Sequence, residues 1–145
     1  LVRNSKKQNE KFEKILEIGS GCGYQSAVLS YFADEIHSVE RIKQLVSKAR
    51  ENLSELRIYN VLIKNRDGFE GWDEEIEYDG ILCAAAPREI PKKLLAFLKV
   101  GCSLVLPVGG SKSQKLKIVT KTKKGFDEQE FDSVSFVPML GGTSK

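Results

Sequence analysis

The sequence predicts an α/β fold: a doubly wound, mostly parallel sheet with an antiparallel hairpin at its C-terminal end. Three observations predict it. Short apolar, β-branched runs alternate with segments of helical spacing over residues 14–110. The first run stops abruptly in three alternating glycines, Gly19, Gly21 and Gly23, and then turns helical. Beyond residue 110 the period changes to the two-residue alternation of a hairpin. Strand, helix, strand, helix and finally hairpin is the order of a doubly wound sheet with an antiparallel edge. At 145 residues the chain is expected to be one domain, with a polar lead-in (1–13), a ligand-binding α/β core (14–110) and a hairpin with its tail (111–145).

The elements follow in order. Ile15, Leu16 and Ile18 form a short apolar run bounded by turn formers, as in a strand buried on both faces. The segment from Tyr24 to Ala33 opens a helix, so backbone N–H groups should line the glycine loop before it. Ile36 to Val39 is a second strand. Ile42, Leu45, Val46, Ala49 and Leu53 then recur at helical spacing with basic residues outside. Val61 to Lys64 is a third strand, delivering Asp67 and Gly68 at its C-terminal end, and Tyr78 to Cys83 a fourth. Ala84, Ala85, Ala86 and Pro87 make a small-residue loop that permits a ligand's close approach. Pro91 suits the first position of a helix carrying Leu94, Leu95 and Leu98 inward and ending at Gly101. Ser103 to Val108 is a fifth strand, closed by Gly109 and Gly110. Lys115 to Lys121 and Phe131 to Val137 complete the sheet as the hairpin.

Composition excludes several classes. Charge is mildly basic, +3, and spread out. Lys121, Lys123 and Lys124 precede Gly125 and then Asp127, Glu128, Glu130 and Asp132, so a hairpin sets a basic strand against an acidic one, and no nucleic-acid partner is expected. Cys22, Cys83 and Cys102 are too scattered for a disulfide framework or a metal knuckle; buried reduced thiols, a cytoplasmic location and no metal are expected. No apolar run reaches the ~18 residues of a membrane span. His37, the single histidine, sits mid-strand without a Cys, Ser or Asp constellation, and Trp72 follows the third strand closely. Both are expected to be structural.

The glycine loop nearly matches a dinucleotide fingerprint, but the place of the third glycine holds Tyr24. Glu17 is more telling, because a bound pyrophosphate would meet like charge there. A ligand with no phosphate and a cationic end fits better, and S-adenosylmethionine, with its ammonium, sulfonium and adenosine, is such a ligand. Glu40 ends the second strand at about the ~20-residue offset where a carboxylate meets ribose hydroxyls in such folds. Ligands of open parallel sheets sit outside the carboxyl ends of the strands, so Asp67 and Gly68 should land beside Glu17 and Glu40.

With these residues in place, the chain resembles the bacterial protein-L-isoaspartate O-methyltransferase family over about residues 14–140. Leu16-Glu17-Ile18-Gly19-Ser20-Gly21-Cys22-Gly23-Tyr24-Gln25 is similar to that family's cofactor motif, and Ser38-Val39-Glu40-Arg41-Ile42 to its ribose-binding segment. Asp67-Gly68-Phe69-Glu70-Gly71-Trp72 resembles its adenine-side loop, with Arg66 standing where a glycine is usual. Ala84-Ala85-Ala86-Pro87, Leu104-Val105-Leu106-Pro107-Val108-Gly109 and Phe136-Val137-Pro138-Met139-Leu140 follow in the family's order. The resemblance implies a Rossmann-like fold and methyl transfer from S-adenosylmethionine to isoaspartyl carboxylates of damaged proteins, a repair reaction. It puts Glu17, Gly19 and Gly21 around the methionine part, Glu40 on the ribose, and Asp67 with Gly68 near the adenine, and counts Gly23 and Arg41 among the cofactor-binding residues.

The family's Ser-x-Pro element ahead of the first strand, which supplies its active-site hydroxyl, has no counterpart in residues 1–13, where Ser5 is followed by Lys6 and Lys7. No catalytic residue is therefore expected within this chain, and its methylation of isoaspartyl peptides is expected to be poor. Two alternatives remain open. A nucleic-acid amino-methyltransferase should carry an Asn/Asp-Pro-Pro-aromatic loop after the fourth strand, which Ala85-Ala86-Pro87-Arg88 is not. A cofactor-binding remnant or partner subunit is favoured if Leu1 is the true start.

Overall fold

A computed structural model describes residues 11–72 and 75–144. Ser5 and most of the polar lead-in lie outside them. The described residues form a seven-stranded sheet in the order β3-β2-β1-β4-β5-β6-β7. β1 (Phe12–Ile18), β2 (Ala33–Glu40), β3 (Val61–Asn65), β4 (Tyr78–Cys83) and β5 (Leu98–Gly110) run parallel, and β6 (Ser113–Thr122) and β7 (Gly125–Val134) are antiparallel. Three helices, α1 (Tyr24–Leu29), α2 (Lys43–Glu55) and α3 (Lys92–Leu95), connect the parallel strands together with a single 3-10 turn at Gly68–Glu70. The strand order switches from one side of β1 to the other between β1 and β4, which run parallel, and there the strand ends open a crevice.

Alternation along the strands sorts the core onto two faces. Leu16, Ile18, Ile81, Cys83, Leu104 and Leu106 meet Leu94 and Leu98 on the α3 side. On the other side Ile15 and Ile36 pack with Leu29 and Ala33, while Ala27, Val46, Ala49, Leu53 and Ile63 seat α2. Full burial of each such aliphatic side chain is worth about 1.5–3 kcal/mol relative to exposure.

Several boundaries differ from expectation, each for a local reason. β1 starts at Phe12, three residues ahead of Ile15, with the Asp79 carboxylate accepting hydrogen bonds from the N–H groups of Glu13 (2.6 Å) and Lys14 (3.3 Å). α1 stops at Leu29 instead of running to Ala33, since Phe32 turns back to donate to the Leu29 carbonyl and Ala33 already pairs with Phe12. α3 is one short turn and does not reach Leu98, which is fully buried in β5 opposite Tyr78. Between the pairs Tyr78–Leu98 and Gly80–Ser103, β4 advances two residues and β5 five. Gly101, at φ +85°, sits in that bulge instead of ending the helix. β7 ends at Val134, so residues 135–144 are free to follow another course. The basic and acidic strands do meet: Lys117 reaches Glu128 at 2.7 Å and Glu130 at 3.8 Å, while Lys121 donates to the Leu98 carbonyl.

His37 and Trp72, expected to be structural, are both buried and packed on each other. The imidazole is buried, with Nδ1 2.6 Å from the Tyr78 hydroxyl and Nε2 2.5 Å from Glu35, and it stacks on the Trp72 indole at 4.3 Å.

α2 ends in a Schellman turn, with the N–H of Ile58 on the Leu53 carbonyl (2.9 Å) and that of Arg57 on Ser54 (3.0 Å). Arg57 takes φ +57°, a conformation that costs an L-residue about 1–2 kcal/mol. Arg57→Gly is expected to stabilise the fold by about 1 kcal/mol, and a rise of a few degrees in melting temperature would register it.

Candidate functional site

A cavity of about 500 Å³ opens at the C-terminal ends of β1, β2 and β4, within the size range of small-molecule sites. Ile18, Gly19, Gly21, Val39 and Glu40 form its floor and one wall, Arg41, Ile42 and Leu45 a second, and Gly68, Ala84 and Ala85 a third. Residues 137–140 close the fourth side. Most of that lining is apolar, so the few polar groups decide what the cavity accepts.

The glycine loop owes its shape to two backbone demands. Gly19, Gly21 and Gly23 all lie at positive φ (93°, 53° and 94°), and a Cβ on Gly23 would come within 3.3 Å of the Ala49 backbone. Glu40 pins the loop from the opposite side. Its Oε1 accepts the Gly21 N–H (2.9 Å) and its Oε2 the Ile42 N–H (3.0 Å), leaving a lone pair on each oxygen for a diol above. Arg41 contributes a buried Nε with no partner, a donor left over for a ligand.

Of the eight residues expected at the site, Gly19, Gly21, Glu40, Arg41 and Gly68 line the cavity. Glu17, Gly23 and Asp67 stand outside its wall. The pleat turns the fully buried Glu17 toward α1, where Ser26 donates to Oε1 and the Gln25 amide (2.8 Å) to Oε2, while Ser38 of β2 also donates to Oε1 (2.6 Å). Asp67 caps the 3-10 turn through Phe69 N–H (2.9 Å) and also receives the Gly142 N–H (2.9 Å). Gly68 is required by packing: a Cβ there would lie 2.5 Å from Ile18 Cγ2 and 3.2 Å from Met139 Cε.

Two parts of the site went unassigned at the level of sequence. One is the hydroxyl shell of Glu17, contributed by residues up to 21 positions away. Its signal was the need of any buried acid for several donors. The other is the strap of residues 136–144. Gln114 holds Phe136 through both of its backbone groups, Ala86 exchanges hydrogen bonds with Val137 (2.8 Å) and Met139 (2.9 Å), and Ser144 joins Arg41 (2.7 Å) and Lys43 (2.8 Å). The motif Phe136-Val137-Pro138-Met139-Leu140 was visible, but nothing local tells an extended segment that it will lie across a distant cavity.

Burial pushes the Glu17 carboxyl above its usual 4.5, against the lowering by the Ser26 and Ser38 hydroxyls and the Gln25 amide, with the Glu40 charge adding to the rise. The native state therefore keeps this proton to higher pH than the unfolded chain does. The associated stability is fully present below 4.5 and is lost as pH rises through the folded value. Glu17→Gln is expected to melt higher than the unsubstituted chain at pH 8 and close to it at pH 4, measured by scanning calorimetry. Burial also pushes the Cys83 thiol up to about 11, and it donates to the Ala85 carbonyl at 3.2 Å; no cysteine here is in a disulfide. Among the described residues no group of three or more His, Cys, Asp or Glu side chains could hold a metal ion, and no helix is long and apolar enough to cross a membrane.

The model of the protein-L-isoaspartate(D-aspartate) O-methyltransferase family matches residues 7–144. A protein-L-isoaspartate O-methyltransferase of Pseudomonas aeruginosa is 47% identical over 130 residues, 90% of this chain and 62% of the relative. One from Methylobacillus flagellatus is 48% identical over 135 residues, 90% of this chain and 60% of the relative. The chain thus spans about 60% of the length of these curated relatives. A Plasmodium falciparum structure named for the same activity, in complex with S-adenosyl-L-homocysteine, superposes with TM-score 0.76 at 25% identity, covering 88% of this chain and 66% of that one. A second protein-L-isoaspartate O-methyltransferase structure reaches TM-score 0.83 at 27% identity over 93% of this chain and 44% of its own.

Proposed function

The chain belongs to the protein-L-isoaspartate(D-aspartate) O-methyltransferase family, and on that premise we propose that its cavity holds S-adenosylmethionine for methyl transfer to the side-chain carboxylate of L-isoaspartyl residues in damaged proteins. The observation that carries the reading is Glu40, a carboxylate anchored by two backbone amides at the strand end with acceptor capacity left over for the ribose diol. The unpartnered Arg41 Nε, the positive-φ glycines that expose bare backbone and the apolar lining all fit an adenosyl compound. Gly19 and Gly21 flank the methionine end, with Glu17 and Gly23 behind them supporting the loop. Gly68 leaves room for the adenine, and Asp67 holds the strap on that side.

When bound, the cofactor supplies a methyl group already activated on a sulfonium. The acceptor, with a carboxylate pKa near ~4, is ionised at neutral pH, so the chain needs no general base. What remains is alignment and exclusion of water, to which Ile18, Val137, Pro138, Met139 and Leu140 contribute an apolar wall. Because the relatives carry more chain than this one, we assign cofactor binding to these residues and little acceptor recognition. Incubation with labelled S-adenosylmethionine and an isoaspartyl peptide tests this. Tight cofactor binding with slow or no transfer is expected, rapid turnover by these 145 residues would refute the division of labour, and failure to bind the cofactor would refute the whole reading.

A further inference from the structure

Glu17 is fully buried and lines no part of the cavity, yet it is linked to the glycine loop by a chain of hydroxyls. Ser38 donates its one hydroxyl proton to Glu17 Oε1 (2.6 Å), so in the 2.5 Å contact between the Ser20 and Ser38 hydroxyls Ser20 is the donor. Ser20 is also the hinge of the loop: its carbonyl accepts the Gly23 N–H (2.9 Å) and its own N–H reaches the Val39 carbonyl (3.3 Å). All three side chains are buried, so the direction of each hydroxyl is fixed by the charge at the end of the chain.

We propose that Ser38 is a positioning residue: it couples the ionisation of Glu17 to the conformation of Ser20, so that the glycine loop holds its ligand-binding shape only while Glu17 is a carboxylate. Protonating Glu17 at Oε1, the oxygen that accepts from both Ser26 and Ser38, supplies a donor where an acceptor stood, reverses or breaks the Ser38 and Ser20 hydroxyl bonds, and removes negative charge from beneath the loop. Burial opposes the charged form, and Ser26 and Gln25 on α1 and Ser38 on β2 offset that opposition. Glu40 is the other ionisable group acting on Glu17, and it holds Gly21 directly. The effect of Glu17 is therefore to be read at Ser20 and Gly23. As a statement about cofactor affinity the inference rests on the function proposed above; as a statement about the loop it does not.

The test is a pH titration of the free 145-residue chain followed by backbone amide NMR, on the unsubstituted protein, Ser38→Ala and Glu17→Gln. Ser20 and Gly23 are expected to shift in one step in the unsubstituted chain, at higher pH in Ser38→Ala, and not at all in Glu17→Gln. Should Ser38→Ala fail to fold, Ser38→Cys, with a weaker donor of similar size, is expected to move the midpoint the same way. Loop amides that do not titrate, or a midpoint unmoved by the Ser38 substitution, overturn the proposal. Calorimetry with S-adenosyl-L-homocysteine adds the functional readout: affinity should fall about tenfold per pH unit below the same midpoint. A titrating loop with no binding at any pH would refute the cofactor assignment and leave the coupling standing; binding that is independent of pH across the midpoint would overturn the coupling to affinity.

Discussion

Glu40→Gln is expected to cost the cavity about 100-fold in affinity for S-adenosyl-L-homocysteine, with little change in the overall fold. The glutamate side chain accepts from Gly21 N–H on one oxygen and from Ile42 N–H on the other. An amide of the same shape has one acceptor, so its NH2 must face a backbone N–H whichever way it is turned. One loop donor is then left without a partner in a half-enclosed site, at a cost of about 1–3 kcal/mol, and the diol loses a charged acceptor worth about 1.5–3 kcal/mol. Together these come to about 2.5–6 kcal/mol, a range that includes the ~2.7 kcal/mol corresponding to 100-fold. Isothermal titration of the variant measures the loss, and an affinity within threefold of the parent would show that Glu40 does not meet the ligand.

Gly109→Ala is expected to be strongly destabilising, because its added methyl would meet backbone of the neighbouring strand. Gly109 lies at φ +145° near the end of β5, and an added Cβ would fall 2.0 Å from the Ser113 carbonyl oxygen and 2.9 Å from Gln114 Cα. Both obstacles are backbone of the paired strand, so no side-chain rotation relieves the clash. Either the β5–β6 hairpin opens or the ladder shifts register. Gln114 would move with it, and Gln114 is buried and holds both backbone groups of Phe136, where the strap begins. A loss of about 3–4 kcal/mol is expected, near 10 °C in melting temperature, with weaker cofactor binding in whatever remains folded. Scanning calorimetry and a urea midpoint measure it. A variant as stable as the parent would mean that the hairpin is not packed as described.

Both effects turn on contacts of very different legibility. Glu40 could be found from sequence because a strand end and a ribose lie at a fixed distance from a glycine loop in this architecture, and the strand itself is an unambiguous apolar run. The parallel order of the first five strands was legible for the same reason, through β-branched runs punctuated by turn formers. The α3 and β5 boundary was not. Leu94, Leu95 and Leu98 fit one face of a helix, yet Leu98 is more deeply buried as the first residue of β5 against Tyr78, and tertiary packing overrides a periodicity only two turns long. The strap and the serines around Glu17 depend on pairs distant in sequence, such as Asp67 with Gly142 and Glu17 with Ser38. The pleat turns residue 17 away from the cavity, so Glu17 meets Ser26, Ser38 and Gln25 there, which its place in the sequence did not reveal.

The account depends on a cavity built for a cationic adenosyl compound and hostile to phosphates. Calorimetric titration of the chain with S-adenosyl-L-homocysteine, and in parallel with NAD and ATP, tests that most directly. Saturable one-to-one binding of the thioether nucleoside, abolished by Glu40→Gln, with no heat from either phosphorylated nucleotide, is the predicted result. Tight binding of NAD or ATP with S-adenosyl-L-homocysteine ignored would contradict it.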